Sequence, residues 1–331
     1  MKPAVRDAVM QCTLCPKQCR IAPGQSGECR IRVNRDGKLC AVTYGYPSAI
    51  HVDPIEKKPL NHFLPGSTAL SIATVGCNLH CKNCQNWELS QCNPEDAEAA
   101  HLPPQEIARS AREYHCPSVA YTYSDPVAWY EYTLDCCIAA HDAGLRNVLV
   151  TAGYLNDKPW RELCRHTDAA NIDLKGITEK FYREICGATL KPVQQALVSA
   201  KAMGVEVEVT YLLIPTLNDS DRDIGDWCNW VVGNMGRETP VHIARFFPQY
   251  KMRHLPATPP ETLDRARQLA VAAGLDYVYV GNILVRDAAN TYCPNCRRLL
   301  VGRTGYRINA MHVTADGHCP FCSQEIYGVW K

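Results

Sequence analysis

Apolar and polar residues alternate along the middle of the chain in two rhythms. Short apolar runs rich in Val, Ile, Leu and Ala recur at 69–75, 117–123, 147–152, 169–174, 205–214, 241–247 and 277–280, and they read as strands. Longer segments between them carry helical patterning, near 104–115, 126–143, 157–166, 178–185, 192–203, 219–234 and 260–273. Pro104, Pro192 and Pro260 sit at first-turn positions, where a missing N–H costs nothing, and Asp219 or Ser220 is placed to cap its helix. Gly144, Gly204 and Gly274 follow three of the helices, where a left-handed C-cap is expected. Apolar strands that alternate with helices predict a parallel sheet. The four prolines of 41–68 (Pro47, Pro54, Pro59, Pro65) predict irregular backbone there, with Gly66-Ser67 turning the chain into the first strand.

Composition adds a boundary at each end. At 331 residues, with 46% hydrophobic residues, there is room for one large core with small appendages. The pattern divides it into a Cys-rich extension over 1–65, a βα core over 66–288 and a ribbon over 289–331. The 35 Lys and Arg against 34 Asp and Glu leave no basic field, which argues against a nucleic-acid partner. No apolar run is long enough to span a bilayer and nothing at the N-terminus reads as a signal peptide, so a cytoplasmic protein without a membrane partner is expected.

Cysteine is the outlier, at 19 residues. In a chain of this length, cysteines clustered at metal-type spacings point to metal sites rather than a disulfide framework. Cys12, Cys15, Cys19 and Cys29 lie among glycines and a proline, as a knuckle folding around an ion does. Zinc or an auxiliary Fe–S cluster suits four thiolates there, and Cys40 is a competing ligand. Cys293-x2-Cys296 and Cys319-x2-Cys322 read as a four-cysteine ribbon for zinc or a single iron, with His312 and His318 as bystanders. Most of the remaining cysteines serve as small core residues.

The third group, Cys77-x3-Cys81-x2-Cys84, follows the first core strand. Three thiolates hold three irons of a [4Fe–4S] cluster and leave the fourth open. An open iron binds the amino and carboxylate groups of S-adenosylmethionine (SAM), and one electron from the cluster then releases a 5′-deoxyadenosyl radical. The bland alternative is zinc, with His80 as fourth ligand.

The motif, its place after a first strand, Gln85-Asn86-Trp87 behind it and Asp53-Pro-Ile-Glu-Lys-Lys-Pro-Leu60 before it resemble the radical SAM superfamily. Within it they are similar to the radical SAM member of the AmmeMemoRadiSam group, related to pyruvate formate-lyase activating enzyme, over nearly the whole chain. The resemblance implies an α/β fold, a partial (β/α)6 TIM-type barrel with the cluster at the C-terminal end of its strands, as the general barrel rule also expects. It implies SAM as cofactor, an electron donor such as flavodoxin or ferredoxin, and a partner protein for some members.

The same resemblance places cofactor contacts. Tyr123-Ser124-Asp125-Pro126 stands where many members carry Gly-Gly-Glu-Pro, so the glycines are absent and the acid is kept. Thr151-Ala152-Gly153 lacks the middle Asn of activating enzymes, whereas Asp173-Leu174-Lys175 matches their Asp-Leu-Lys. Lys175 is expected to pair with the SAM carboxylate. Asn83 replaces an aromatic residue usual before the third cysteine, and Trp87, Tyr121 or Tyr123 is expected to supply that surface. Arg245, Tyr211, Tyr250 and Asn282 are candidate substrate contacts. The reaction expected is hydrogen abstraction from a small molecule, a peptide or a partner protein. One variant is activation of a glycyl-radical enzyme. The competing class is a non-enzymatic zinc-ribbon binding protein, which the long βα region argues against.

Overall fold

The computed structural model describes residues 8–283 and 287–331. Residues 1–7 of the expected N-terminal extension, and 284–286 beside the expected boundary at 288, lie outside them. The N-terminal segment holds two small ribbons: β1 (Met10–Gln11) pairs with β2 (Arg20–Ile21), and β3 (Arg32–Arg35) with β4 (Lys38–Ala41). The second turns at Asp36-Gly37, both at positive φ (52° and 76°), as a tight hairpin requires.

The main sheet has eight strands. β5 (Ala49–Pro54) runs antiparallel to β6 (Thr68–Ala73). There follow, all parallel, β7 (Ser118–Tyr121), β8 (Arg146–Thr151), β9 (Ala169–Asp173), β10 (Glu206–Leu213), β11 (Val241–Arg245) and β12 (Val278–Gly281). Spatial order equals chain order, and β5 and β12 are the two edges, so this is an open, partial barrel. All seven strands expected from the apolar runs are present. The expectation of irregular backbone over 41–68 fails at β5. That edge strand shows Ile50 and Val52 to solvent and buries only Asp53, a burial pattern no periodicity rule would select.

The helices are α1 (Trp87–Ser90), α2 (Pro104–Glu113), α3 (Tyr130–Asp142), α4 (Asp157–Cys164), α5 (Glu179–Phe181), α6 (Leu190–Ala202), α7 (Asp221–Met235) and α8 (Pro260–Ala272), and Ser90 of α1 and Phe181 of α5 reach the cavity lining. A π-helical stretch, Tyr182–Cys186, continues α5. Ser220 caps α7 through Asp223 N, and Gly144, Gly204 and Gly274 adopt the left-handed φ expected after helices. α3 starts four residues later than the sequence suggests. Pro126–Trp129 form a buried turn instead, in which Asp125 Oδ1 accepts Val127 N at 3.4 Å while the same carboxylate also binds Thr151 and Ala152 at the end of β8.

Strand parity decides what faces inward. Ile172, Val207, Val209, Tyr211 and Ile243 are buried in the main apolar core, with Trp160 and Trp227 from the helices. The alternate positions, Asn171, Asp173, Thr210, Leu212, His242 and Tyr279, line a cavity inside the barrel. The C-terminal ribbon, β13 (Thr291–Tyr292), β14 (Leu299–Thr304) and β15 (Arg307–Met311), closes that cavity on one side with Arg303, Tyr306 and Asn309.

Candidate active site

The loop after β6 owes its course to contacts with three other segments. Gly76 has φ +85°, and a Cβ there would lie 2.5 Å from the Cys29 carbonyl oxygen. His80 N and Lys82 N donate to the carbonyls of Cys186 and Ile185, both at 2.9 Å. Asn78 Nδ2 donates to Tyr154 O at 2.7 Å, and Cys84 Sγ meets Ser90 Oγ at 3.2 Å. So held, Cys77, Cys81 and Cys84 line one cavity of about 1180 Å³. The Cys81 thiol touches Cys186, and that contact, with Lys175 nearby, lowers its pKa. A thiolate beside a cation is the form that binds metal. His80 does not line the cavity; its ring meets Gln91 at 3.2 Å and Glu28 at 3.4 Å, which removes the fourth ligand of a zinc alternative.

The strand ends beside the loop supply the rest. Ser124, Asp125, Thr151, Asp173 and Lys175 line the same cavity. Asp125 accepts Thr151 Oγ1 at 2.5 Å and Ala152 N at 3.0 Å, and burial pushes its pKa up. Lys175 Nζ pairs with Asp173 at 2.6 Å, and Asp173 keeps the ammonium protonated against the opposing effect of burial. Tyr123 also lines the cavity, in a left-handed conformation (φ 65°) held by Asn86 Nδ2 on its carbonyl at 2.9 Å. Its side chain turns back to Asp53 and Lys58.

Other sequence candidates lie elsewhere. Gly153 packs on α6, where a Cβ would come within 2.9 Å of Ala196, so its role is close approach of helix and strand. Trp87 and Tyr250 stack on each other, 5.2 Å between centroids, outside the cavity lining. Tyr211 is buried on the helix side, stacked on Trp227 at 4.8 Å with its hydroxyl on Asn218 O, as the parity of β10 requires. Tyr121 is likewise buried, its hydroxyl on Asn147. Arg245 donates to Thr258 O and lies over Phe247. Asn282 alone of the four substrate candidates lines the cavity. Sequence reading missed Lys58, Asn86, Asn171, Thr210 and His242. Alternation along β9, β10 and β11 was the available signal for the last three.

The terminal cysteine sets differ. Cys293 and Cys322 sulfurs are 3.5 Å apart, Cys296 and Cys319 3.7 Å, and all four lie within 4.8 Å of one another. That gathering fits one tetrahedral ion. Among the described residues it is the one such group of His, Cys, Asp or Glu. Cys12, Cys15, Cys19 and Cys29 share the lining of a second, small cavity with Asn78 of the central loop. Cys40 lies on β4, outside that lining.

A family model described as the Radical SAM superfamily matches residues 71–228. An uncharacterised protein of Methanocaldococcus jannaschii is 42% identical over 323 residues, 97% of this chain and 96% of that one. A pyruvate formate-lyase-activating enzyme of Clostridium pasteurianum is 24% identical over 163 residues, 46% of this chain and 65% of the enzyme. A radical SAM methyltransferase of Sphaerobacter thermophilus superposes with a TM-score of 0.49 at 17% identity, covering 66% of this chain and 67% of that one.

Proposed function

The chain belongs to the radical SAM superfamily, and on that premise we propose that it cleaves SAM reductively and directs the radical at a substrate held in the barrel cavity. The observation that carries this reading is the shared lining: three cysteines, two strand-end acids and a lysine around one cavity. Cys77, Cys81 and Cys84 would hold a [4Fe–4S] cluster, which would supply the electron for reductive cleavage of SAM.

The chain's own residues have the remaining work. Asp125 offers a buried carboxylate to the methionine amino group, kept in place by Thr151 and the Ala152 amide. Lys175 offers a point charge to the methionine carboxylate, with Asp173 beside it. Ser124 donates to Thr74 O at 2.6 Å and ties the end of β7 to β6. Asn83, next to Cys84, is a buried residue in the same lining. The C-terminal four-cysteine group suits zinc, and the N-terminal cysteines zinc or an auxiliary Fe–S cluster. A flavodoxin or ferredoxin as electron donor and a cytoplasmic setting accompany this reading. Among the described residues no helix is long and apolar enough to cross a membrane.

A small molecule or a short peptide suits the space, since the ribbon closes one side of it. Similarity to a pyruvate formate-lyase-activating enzyme supports a second reading, in which the substrate is a loop of a partner protein and the chain is a glycyl-radical activase. The AmmeMemoRadiSam resemblance likewise favours a protein partner.

The test is 5′-deoxyadenosine formation by anaerobic, reduced protein supplied with SAM, beside Cys84→Ala. Wild type is expected to release it, with iron near four per chain in the central site, and the variant to release none. Equal release by both proteins sinks the proposal.

A further inference from the structure

The stretch Asp53-Pro-Ile-Glu-Lys-Lys-Pro-Leu60 carries chemistry that SAM cleavage does not use. It closes β5 and makes a single 3-10 turn, Ile55–Lys57, whose last hydrogen bond runs from Lys58 N to Ile55 O at 2.8 Å. Asn171 Nδ2 then fixes the Pro59 carbonyl at 2.8 Å. This geometry points Lys58 into the barrel with 1% of its surface exposed. Lysine is almost never so buried. Its Nζ lies 2.6 Å from Asp53 Oδ2, 3.5 Å from Tyr123 Oη and 4.6 Å from the centre of the Tyr123 ring. Tyr123 donates to the same Asp53 oxygen, and Lys57 pairs with the other at 2.7 Å. Lys58 and Tyr123 line the same cavity as Cys77, Cys81 and Cys84.

We propose that Lys58 is a nucleophilic lysine that forms an imine with a carbonyl-bearing substrate in this cavity. Two features that make a lysine nucleophilic coincide here: removal from water and a neighbouring ammonium, Lys57. Burial, reinforced by Lys57 and opposed by Asp53, lowers the Lys58 pKa to about 8. Lys175, the other lysine deep in the cavity wall, is held protonated by Asp173 and serves as a charge instead. Tyr123 and Asp53 form the proton relay. The neutral amine adds to the carbonyl carbon, a C–N bond forms as the C=O π bond breaks, and the oxygen takes the Tyr123 proton. The new ammonium nitrogen returns a proton through Asp53 to Tyr123. The carbinolamine hydroxyl leaves as water on a second proton from Tyr123, the resulting iminium N–H returns its proton through Asp53 to the tyrosinate, and the neutral imine remains. Amine plus carbonyl gives imine plus water, with no oxidant or reductant. Attachment would tether the substrate beside the three cysteines and narrow its class to aldehydes, ketones and keto acids.

The proposal rests on reading the cavity as the substrate chamber, and its test is independent of SAM. Full-length, cluster-loaded protein is incubated anaerobically, without SAM, with glyoxylate or pyruvate and cyanoborohydride, and adducts are mapped by peptide mass spectrometry. Lys58 is expected to carry one adduct, formed at least about tenfold faster than on exposed lysines, as an activated amine requires. The rate should rise with pH and level off above about 8. Lys58→Arg should lose that adduct and keep the slow background. Tyr123→Phe, which leaves the amine in place, should slow it by about tenfold or more as the relay is cut. Wild-type protein labelled only on exposed lysines, with Lys58 unmodified, overturns the proposal and leaves SAM cleavage untouched. Failure to cleave SAM would leave the labelling result fully readable.

Discussion

Gly76 shows how much of the site depends on a residue with no side chain. Its φ of +85° and the Cys29 carbonyl, 2.5 Å from where a Cβ would stand, leave space for hydrogen only. The obstacle is backbone, so it cannot swing aside. Gly76→Ala is expected to cost about 3 kcal/mol from left-handed strain and overpacking together. Urea midpoints would measure this, and iron per chain should fall in the same samples, because the displaced loop carries all three cysteines. An unchanged midpoint would mean that the N-terminal segment yields freely. At Asp125 the expected effect is on binding instead. Asp125→Asn keeps the size and removes the charge, so SAM affinity should drop by about tenfold or more, the worth of one charge-assisted hydrogen bond. Equilibrium dialysis would check it, and equal affinity would reduce Asp125 to a brace for Thr151. Spacing and a place after the first core strand made the three cysteines legible as one group, and they line one cavity. Tyr211, an aromatic residue near a strand end, suits a cavity wall by type but not by parity. Counting from Glu208 and Thr210 puts Tyr211 on the helix side.

At the scale of elements, the C-terminal ribbon has two tasks that the sequence kept apart. Its cysteines gather one ion's worth of ligands, and its β14–β15 hairpin forms a wall of the cavity that also holds the central cysteines. Cys319→Ser should therefore remove about one metal ion per chain. It should also open 293–331 to limited proteolysis while visible absorption from the central cluster persists. Retention of the metal by the variant, or loss of the central cluster with it, would break that separation. The knuckles were legible from their paired C-x2-C spacing, and the seven parallel strands from apolar runs between helices. The contact between ribbon and barrel was not legible, because it joins Arg303 to Asn61 and Tyr327 to His62 across more than 200 positions. β5 was hidden for a local reason: an edge strand needs only one buried face, and here that face is mostly Asp53.

Across the whole molecule, one buried histidine joins barrel, ribbon and C-terminal tail. His62 Nδ1 faces the Tyr327 carbonyl at 2.5 Å, so that nitrogen must carry the proton and donate. Nε2 therefore accepts from the Tyr279 hydroxyl at 2.6 Å, and Tyr279 in turn meets Thr291 of β13 at 2.8 Å. The backbone beside it completes the clasp, with Val329 N on His62 O and Leu64 N on Val329 O, both at 2.7 Å. Glu208, His242 and Arg303 are the charged and titratable groups around it. Burial lowers the His62 pKa to about 4, although Glu208 pulls the other way. An unfolded histidine titrates near 6.5. The unfolded chain thus binds the proton more tightly. The neutral form's contribution to stability is complete above pH 6.5 and is lost as pH falls from there toward 4, by about 3 kcal/mol in total. His62→Asn keeps a polar side chain and removes the titration. Urea midpoints of wild type and variant from pH 7.5 to 5.0, measured anaerobically, should converge as pH falls, because only wild type loses this term. Acid loss of the cluster affects both proteins and cancels in the difference. Parallel midpoints over that range would mean that His62 takes up its proton without leaving its partners, and that the clasp between tail and barrel tolerates a charge at its centre.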